Sequence, residues 1–280
     1  MPRGISVHIG VNQPWSSAHC KLTLSEKCAW RMAGVAHQAG YGSIHLLRGA
    51  EATRDAVRRL LSRAARALQP DQTLFVSYSG HGSHARDTDG DEPDGRDETW
   101  CLHDADLIDD ELLEIWRKAP SGSRVVVVSE SCYAGGIRRD DDFLDECPGP
   151  SAAADPPVYR SAGPVMRGVK QHAPLLSSSC IPSMPDDDFG IRASVLIMAG
   201  AAEAQTAQEG LYTRHLLKLW NGGAFKESFC ALHRGLCERV QNDNPAQVPQ
   251  IMMLGTPDPG FPLKMAFHLD GPVTRGGYAR

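Results

Sequence analysis

The 280-residue chain has no C-x-x-C pair, although it has eight cysteines, at 20, 28, 101, 132, 147, 180, 230 and 237. That scatter excludes a zinc ribbon, a dithiol redox motif and a small disulfide scaffold, and leaves reduced thiols of a cytoplasmic protein as the expectation. No apolar run reaches the roughly 18–20 residues that a membrane span requires. The first ten residues, MPRGISVHIG, contain no secretory apolar region. There is no excess of positive charge. Lys and Arg number 29 against 34 Asp and Glu, for a net charge of −5, so nucleic acid is not an expected partner. Gly-x-Ser-x-Gly and His-Glu-x-x-His are both missing, which argues against a serine hydrolase and a zinc hydrolase. No internal repeat is found. What is present is an ordinary globular composition, 41% hydrophobic and 22% charged.

Short apolar runs alternate with helical patterns. Strands are expected at 5–11, 43–47, 73–78, 124–129, 194–199 and 250–254. Helices are expected at 28–39, 52–68, 109–118, 213–220 and 225–240. In the second helix, apolar residues recur at i, i+3, i+4 from Ala52 to Leu68. Arg54, Arg58, Arg59, Arg63 and Arg66 fill its other face, read as solvated rather than anion-binding. The runs TLFVSY and RVVVVS suit strands buried on both faces. Residues 138–190, rich in acids and prolines, read as a long connection. The order predicts an α/β fold: a six-stranded, mostly parallel sheet with helices on both faces. One domain over 1–280 is expected, divided into 1–137, the connection 138–190, and 191–280.

Sites in such sheets form at the carboxyl ends of strands. The strand at 73–78 leads into Ser79-Gly80-His81-Gly82. The strand at 124–129 leads into Glu130-Ser131-Cys132-Tyr133-Ala134-Gly135-Gly136. A thiol beside an imidazole is the arrangement that activates a cysteine nucleophile. The glycines admit a substrate backbone, and the amides of Gly82 and Cys132 are candidates for an oxyanion hole. A lone cysteine after a strand is usually core, and a histidine between glycines is often a turn. Together, with 51 residues from His81 to Cys132, they match the spacing known for caspases.

Here the chain resembles the caspase-like cysteine peptidases, specifically the metacaspase and bacterial branch. YSGHG is similar to the family's histidine motif and ESCYAG to its Asp-x-Cys-x-x-Gly motif. The acidic stretch 87–98, Asp109-Asp110-Glu111-Leu112, and 199–217 with Gln205, Glu209-Gly210 and Tyr212-Thr213 fit more loosely. The resemblance implies a cysteine endopeptidase, with His81 as general base and Cys132 as nucleophile, acting on proteins or peptides through an acyl-enzyme. It implies no third catalytic side chain and, by analogy, a monomer. His84 is read as a turn neighbour of His81. A non-catalytic caspase-like interaction module is the alternative, disfavoured by the intact His81 and Cys132.

Seven of the twelve residues from 87 to 98 are acidic. Asp87, Asp89 and Asp91 begin like an EF-hand loop, but Gly90 is misplaced, so this is not one. The resemblance places a calcium site at Asp97, Asp109, Asp110 and Asp140; helix N-capping by Asp109 and Asp110 competes with it. It places the specificity pocket at Cys28, Arg31, Ser79 and Glu130, with Arg or Lys preferred before the cut. Glu130 keeps the family's negative charge there. Arg31 stands where a second acid is usual, and would repel a cation or pair with Glu130, which keeps an Asp preference open, unless it points outward. Arg138, Arg139, Arg160, Arg167 and Lys170 are candidate self-cleavage positions, and 166–176 is a candidate plug.

Overall fold

Four consecutive valines, 125–128, stand in a strand whose neighbours cover both faces. The computed structural model describes residues 4–16, 19–86, 96–131, 189–202, 205, 207–256 and 258–269. The elements run β1 (Gly4–Gly10), α1 (Ser25–Gln38), β2 (Ser43–Arg48), α2 (Arg54–Ala67), β3 (Thr73–Gly80), β4 (Gly82–Arg86), β5 (Arg96–Cys101), β6 (Asp106–Ile108), α3 (Asp109–Trp116), β7 (Arg124–Ser131), β8 (Ser194–Ala199), α4 (Leu211–Trp220), α5 (Phe229–Asp243) and β9 (Gln250–Gly255). The main sheet has six strands in the order β2-β1-β3-β7-β8-β9. All pairs are parallel except β8 with β9.

Period-2 alternation splits each strand between two cores. Val125 and Val127 join Val7, Val76, Leu61 and Trp116 on the side of α2 and α3. Val126 and Val128 join Phe75, Met32, Tyr212 and Leu236 on the side of α1, α4 and α5. A strand apolar at every position is the consequence of burial on both faces. The expected fold class is therefore the observed one.

Thr53 caps α2, its hydroxyl accepting from the Ala56 amide at 3.3 Å. Ser228 caps α5 in the same way. These caps explain two boundaries: α2 begins at Arg54, and α5 at Phe229 rather than the expected 225. The arginine face of α2 is less solvated than expected. Arg54 and Arg58 both pair with Glu111 of α3, each at 2.8 Å.

One group of elements has no counterpart in the sequence reading. β4, β5 and β6 form a separate antiparallel sheet. His84, expected in a turn, lies on β4 opposite Glu98. Asp97 and Glu98, read as part of an acidic loop, lie on β5. The connection 138–190, up to Asp188, lies outside the described residues, together with Cys132, Asp140 and the acidic run 87–95.

Removing the buried Leu61 side chain by Leu61→Ala is expected to cost about 2–5 kcal/mol. Arg63→Ala, on the exposed face of the same helix, is expected to stay within about 0.5 kcal/mol. Urea denaturation of both variants measures the contrast; equal losses would contradict the two-faced reading of α2.

Candidate active site

The parallel register of β3 and β7 pairs Ser79 with Glu130 and Gly80 with Ser131. The next residue along one strand is His81; along the other it is Cys132, which lies outside the described residues. The two strand ends are packed closely. A Cβ on Gly82 would sit 3.1 Å from the Ser131 Cβ, and one on Gly80 would clash with the Tyr78 hydroxyl. Glycine at 80 is thus a requirement of packing. Tyr78 uses that space. Its hydroxyl donates to the His81 carbonyl at 2.7 Å, while its ring stacks on Trp100 at 4.5 Å.

The His81 ring is fully buried. Its Nε2 is 2.7 Å from the Cys20 carbonyl oxygen. A carbonyl only accepts, so Nε2 carries the hydrogen and the neutral ring keeps its lone pair on Nδ1. The ring also stacks on His19, centroids 4.8 Å apart. No sequence signal marks the Cys20 carbonyl, because a backbone oxygen has no side-chain signature.

Of the four expected pocket residues, three come together. Cys28, Ser79 and Glu130 are all buried, Ser79 is paired in register with Glu130, and Cys28 lies near enough to Glu130 to feel its charge. Burial, reinforced by the nearby Glu130 charge, pushes the Cys28 thiol well above the usual range. Glu130 caps the start of α4. Its Oε1 accepts from the amides of Tyr212 at 2.9 Å and Thr213 at 3.2 Å, and its Oε2 accepts from the Thr213 hydroxyl at 2.5 Å. Burial raises its pKa to about 7, against the opposing pull of those hydrogen bonds.

Arg31 is the exception. It is exposed on α1, with its guanidinium over the Trp30 ring at 5.2 Å. The buried stripe of α1 runs through Ser25, Cys28, Ala29, Met32, Val35 and Ala36, and position 31 falls outside it. The placement of Arg31 inside the pocket is corrected accordingly: it does not neutralise Glu130. Thr213 joins Cys28, Ser79 and Glu130 instead; the sequence drew attention to it within 199–217 but assigned it no role.

Asp97 and Asp109 are buried, on β5 and at the start of α3, with Asp110 beside them. Pairing of Thr99 with Ile108 brings those two chain segments together. Asp109 accepts from the Asp110 amide at 3.0 Å, in keeping with a helix-start role. Among the described residues no three His, Cys, Asp or Glu side chains converge so as to hold a metal ion. The described acids therefore do not form a calcium cage by themselves, and Asp140 lies outside them.

Residues 39–139, which include both His81 and Cys132, match the model of the metacaspase peptidase C14 domain. The chain is 46% identical over 87 residues to metacaspase-1 of Schizosaccharomyces pombe, an alignment covering 29% of this chain and 20% of that protein. It is 35% identical over 85 residues to metacaspase-7 of Arabidopsis thaliana, covering 29% and 21%. A crystal structure of a Geobacter sulfurreducens protein superposes with a TM-score of 0.69 at 30% identity, over 96% of this chain and 99% of that one. The chain is metacaspase-like over residues 39–139. Pro-sf-caspase-1, at 13% identity and a TM-score of 0.52 over 92% of each chain, shares the fold. The matches to the curated metacaspases above span about a fifth of their length. Within this metacaspase-like chain, the two strand ends and the capped α4 are the features on which a peptidase reading rests.

The Glu130 environment has a pH signature. Its folded pKa of about 7 lies above the ordinary 4.5, so the folded state holds the proton more tightly. The stability this contributes is complete below about pH 4.5 and is lost as pH rises towards about 7. The loss is on the order of 3 kcal/mol. Glu130→Gln keeps an oxygen for the two α4 amides and should remove that slope. Denaturation curves of both proteins from pH 4.5 to 8 measure it, and parallel curves would show that Glu130 titrates normally.

Proposed function

We propose that this metacaspase-like protein is a cysteine endopeptidase that uses His81 and Cys132 and cuts after Arg or Lys. The observation that carries the reading is the Cys20 carbonyl on Nε2 of His81, at the end of a strand paired in register with the one that precedes Cys132. With its hydrogen committed to Nε2, the ring offers Nδ1 as base. Nδ1 takes the proton of the Cys132 thiol, and the thiolate attacks the scissile carbonyl carbon. The amides of Gly82 and Cys132 receive the negative oxygen. His81 then returns the proton to the leaving amine, and water, deprotonated by the same ring, hydrolyses the thioester.

Specificity in this reading belongs to Glu130. A cationic side chain beside a buried carboxylate would stabilise its charged form, and Arg31, turned outward, does not oppose that. Self-cleavage at Arg138, Arg139, Arg160, Arg167 or Lys170 follows from the same preference. Calcium, if it binds, would need Asp140 or another donor in addition to Asp97, Asp109 and Asp110.

Cys132→Ala is expected to abolish hydrolysis of fluorogenic Arg and Lys peptides, leave the fold intact, and leave the 138–190 connection uncut on a gel. Full activity in that variant would overturn the dyad. Glu130→Gln should lower kcat/KM for Arg peptides about tenfold or more, the scale of one lost buried charge contact. Cleavage only after Asp in the wild type would overturn the basic preference. Activity should also rise with millimolar calcium and fall with a chelator; identical rates in both would remove calcium from the reading.

A further inference from the structure

We propose that Glu209 is a positioning residue that holds segment 20–24 so that the Cys20 carbonyl keeps His81 in its Nε2-protonated form. The inference deepens the peptidase reading, since it takes His81 as the base. Glu209 Oε1 accepts from the Thr23 amide at 2.6 Å and the Leu24 amide at 2.5 Å, and Oε2 from the Thr23 hydroxyl at 3.4 Å. These amides lie at the start of α1, where the helix dipole favours an anion. Leu24 is the residue preceding α1, and it has no side-chain cap of its own. The carboxylate supplies that cap from 185 residues away in sequence.

Two further contacts lock the segment. Gly210, in a left-handed conformation at φ +72, leaves no room for a side chain: a Cβ would lie 2.9 Å from the Leu24 Cδ1. From the other side, the Asn12 carbonyl accepts from the Leu22 amide at 2.8 Å, and the Asn12 side-chain oxygen accepts from the Glu26 amide at 3.2 Å. Cys20 itself is exposed and belongs to no strand or helix. On one side its carbonyl is steadied by His19, stacked on the His81 ring; on the other it is aimed by the residues that follow it, and Glu209 grips two of them. Glu209 also stands two residues before α4, whose early amides, those of Tyr212 and Thr213, hold Glu130. One turn thus connects the pocket acid to the orientation of the base.

The test uses the full chain with Glu209→Ala, Glu209→Asp and Glu209→Gln. The Gln oxygen can accept from the same two amides, whereas Asp keeps the charge but withdraws its oxygens. Alanine and aspartate are expected to lower kcat about tenfold to a hundredfold, the range for misplaced catalytic groups, with KM nearly unchanged. Glutamine should restore most of the rate. Nitrogen-15 spectra of the His81 ring, assigned by their absence in His81→Gln, should show the pure Nε2–H tautomer in the wild type and a mixture in the alanine and aspartate variants. An unchanged tautomer with unchanged kcat overturns the proposal. So does a raised KM for Arg and Lys peptides at constant kcat, which would make Glu209 a pocket acid. If the wild type cleaves no peptide, the peptidase reading fails, while the tautomer spectra still decide the role of Glu209.

Discussion

The pairing of β3 with β7 is the constraint on which the rest of the site depends. Parallel hydrogen bonds set Gly80 against Ser131 and Ser79 against Glu130. A slip of one residue would turn every side chain to the opposite face and exchange the two cores. The valine run of β7 resists such a slip, because Val126 and Val128 pack with Phe75 and Met198 while Val125 and Val127 pack with Leu74 and Ile197. The polar groups at the carboxyl end of the sheet are therefore placed by apolar packing several residues earlier in each strand. The geometry of the strand ends inherits its precision from the core.

Glu130 carries two demands at once. It caps α4 with both oxygens occupied, and in the proposed mechanism it also supplies the charge for a basic side chain. Burial opposes that charge and the helix amides favour it, which leaves the pKa near neutrality. An arriving cation would tip the balance towards the ionised form, so the pocket acquires its full charge when it is filled. Arg31 has no part in this, because its guanidinium is held outside over Trp30.

The strands and helices of the main sheet were legible in the sequence because their patterns are strong: continuous apolar runs for strands covered on both faces, and i, i+3, i+4 repeats for α2. The β4–β5–β6 sheet was not. RDETWC has three charges in six residues, and an acidic run precedes it, so composition alone reads it as loop. Its strand character comes from pairing with β4 and β6, and from burial of Asp97, Glu98, Thr99 and Trp100. Arg31 shows a related limit. The resemblance places it with Cys28 in one pocket, yet the angular position of each side chain on α1 separates them.

By itself, the sequence determined the α/β architecture and singled out His81, Cys132 and Glu130, since each follows or ends a strand recognisable from local pattern. Tertiary structure decided what acts on them. The Cys20 carbonyl on His81, the α4 amides and Thr213 on Glu130, and the grip of Glu209 on residues 23 and 24 join segments dozens to nearly two hundred residues apart. Most of these contacts use backbone groups, which every residue possesses and no sequence pattern marks.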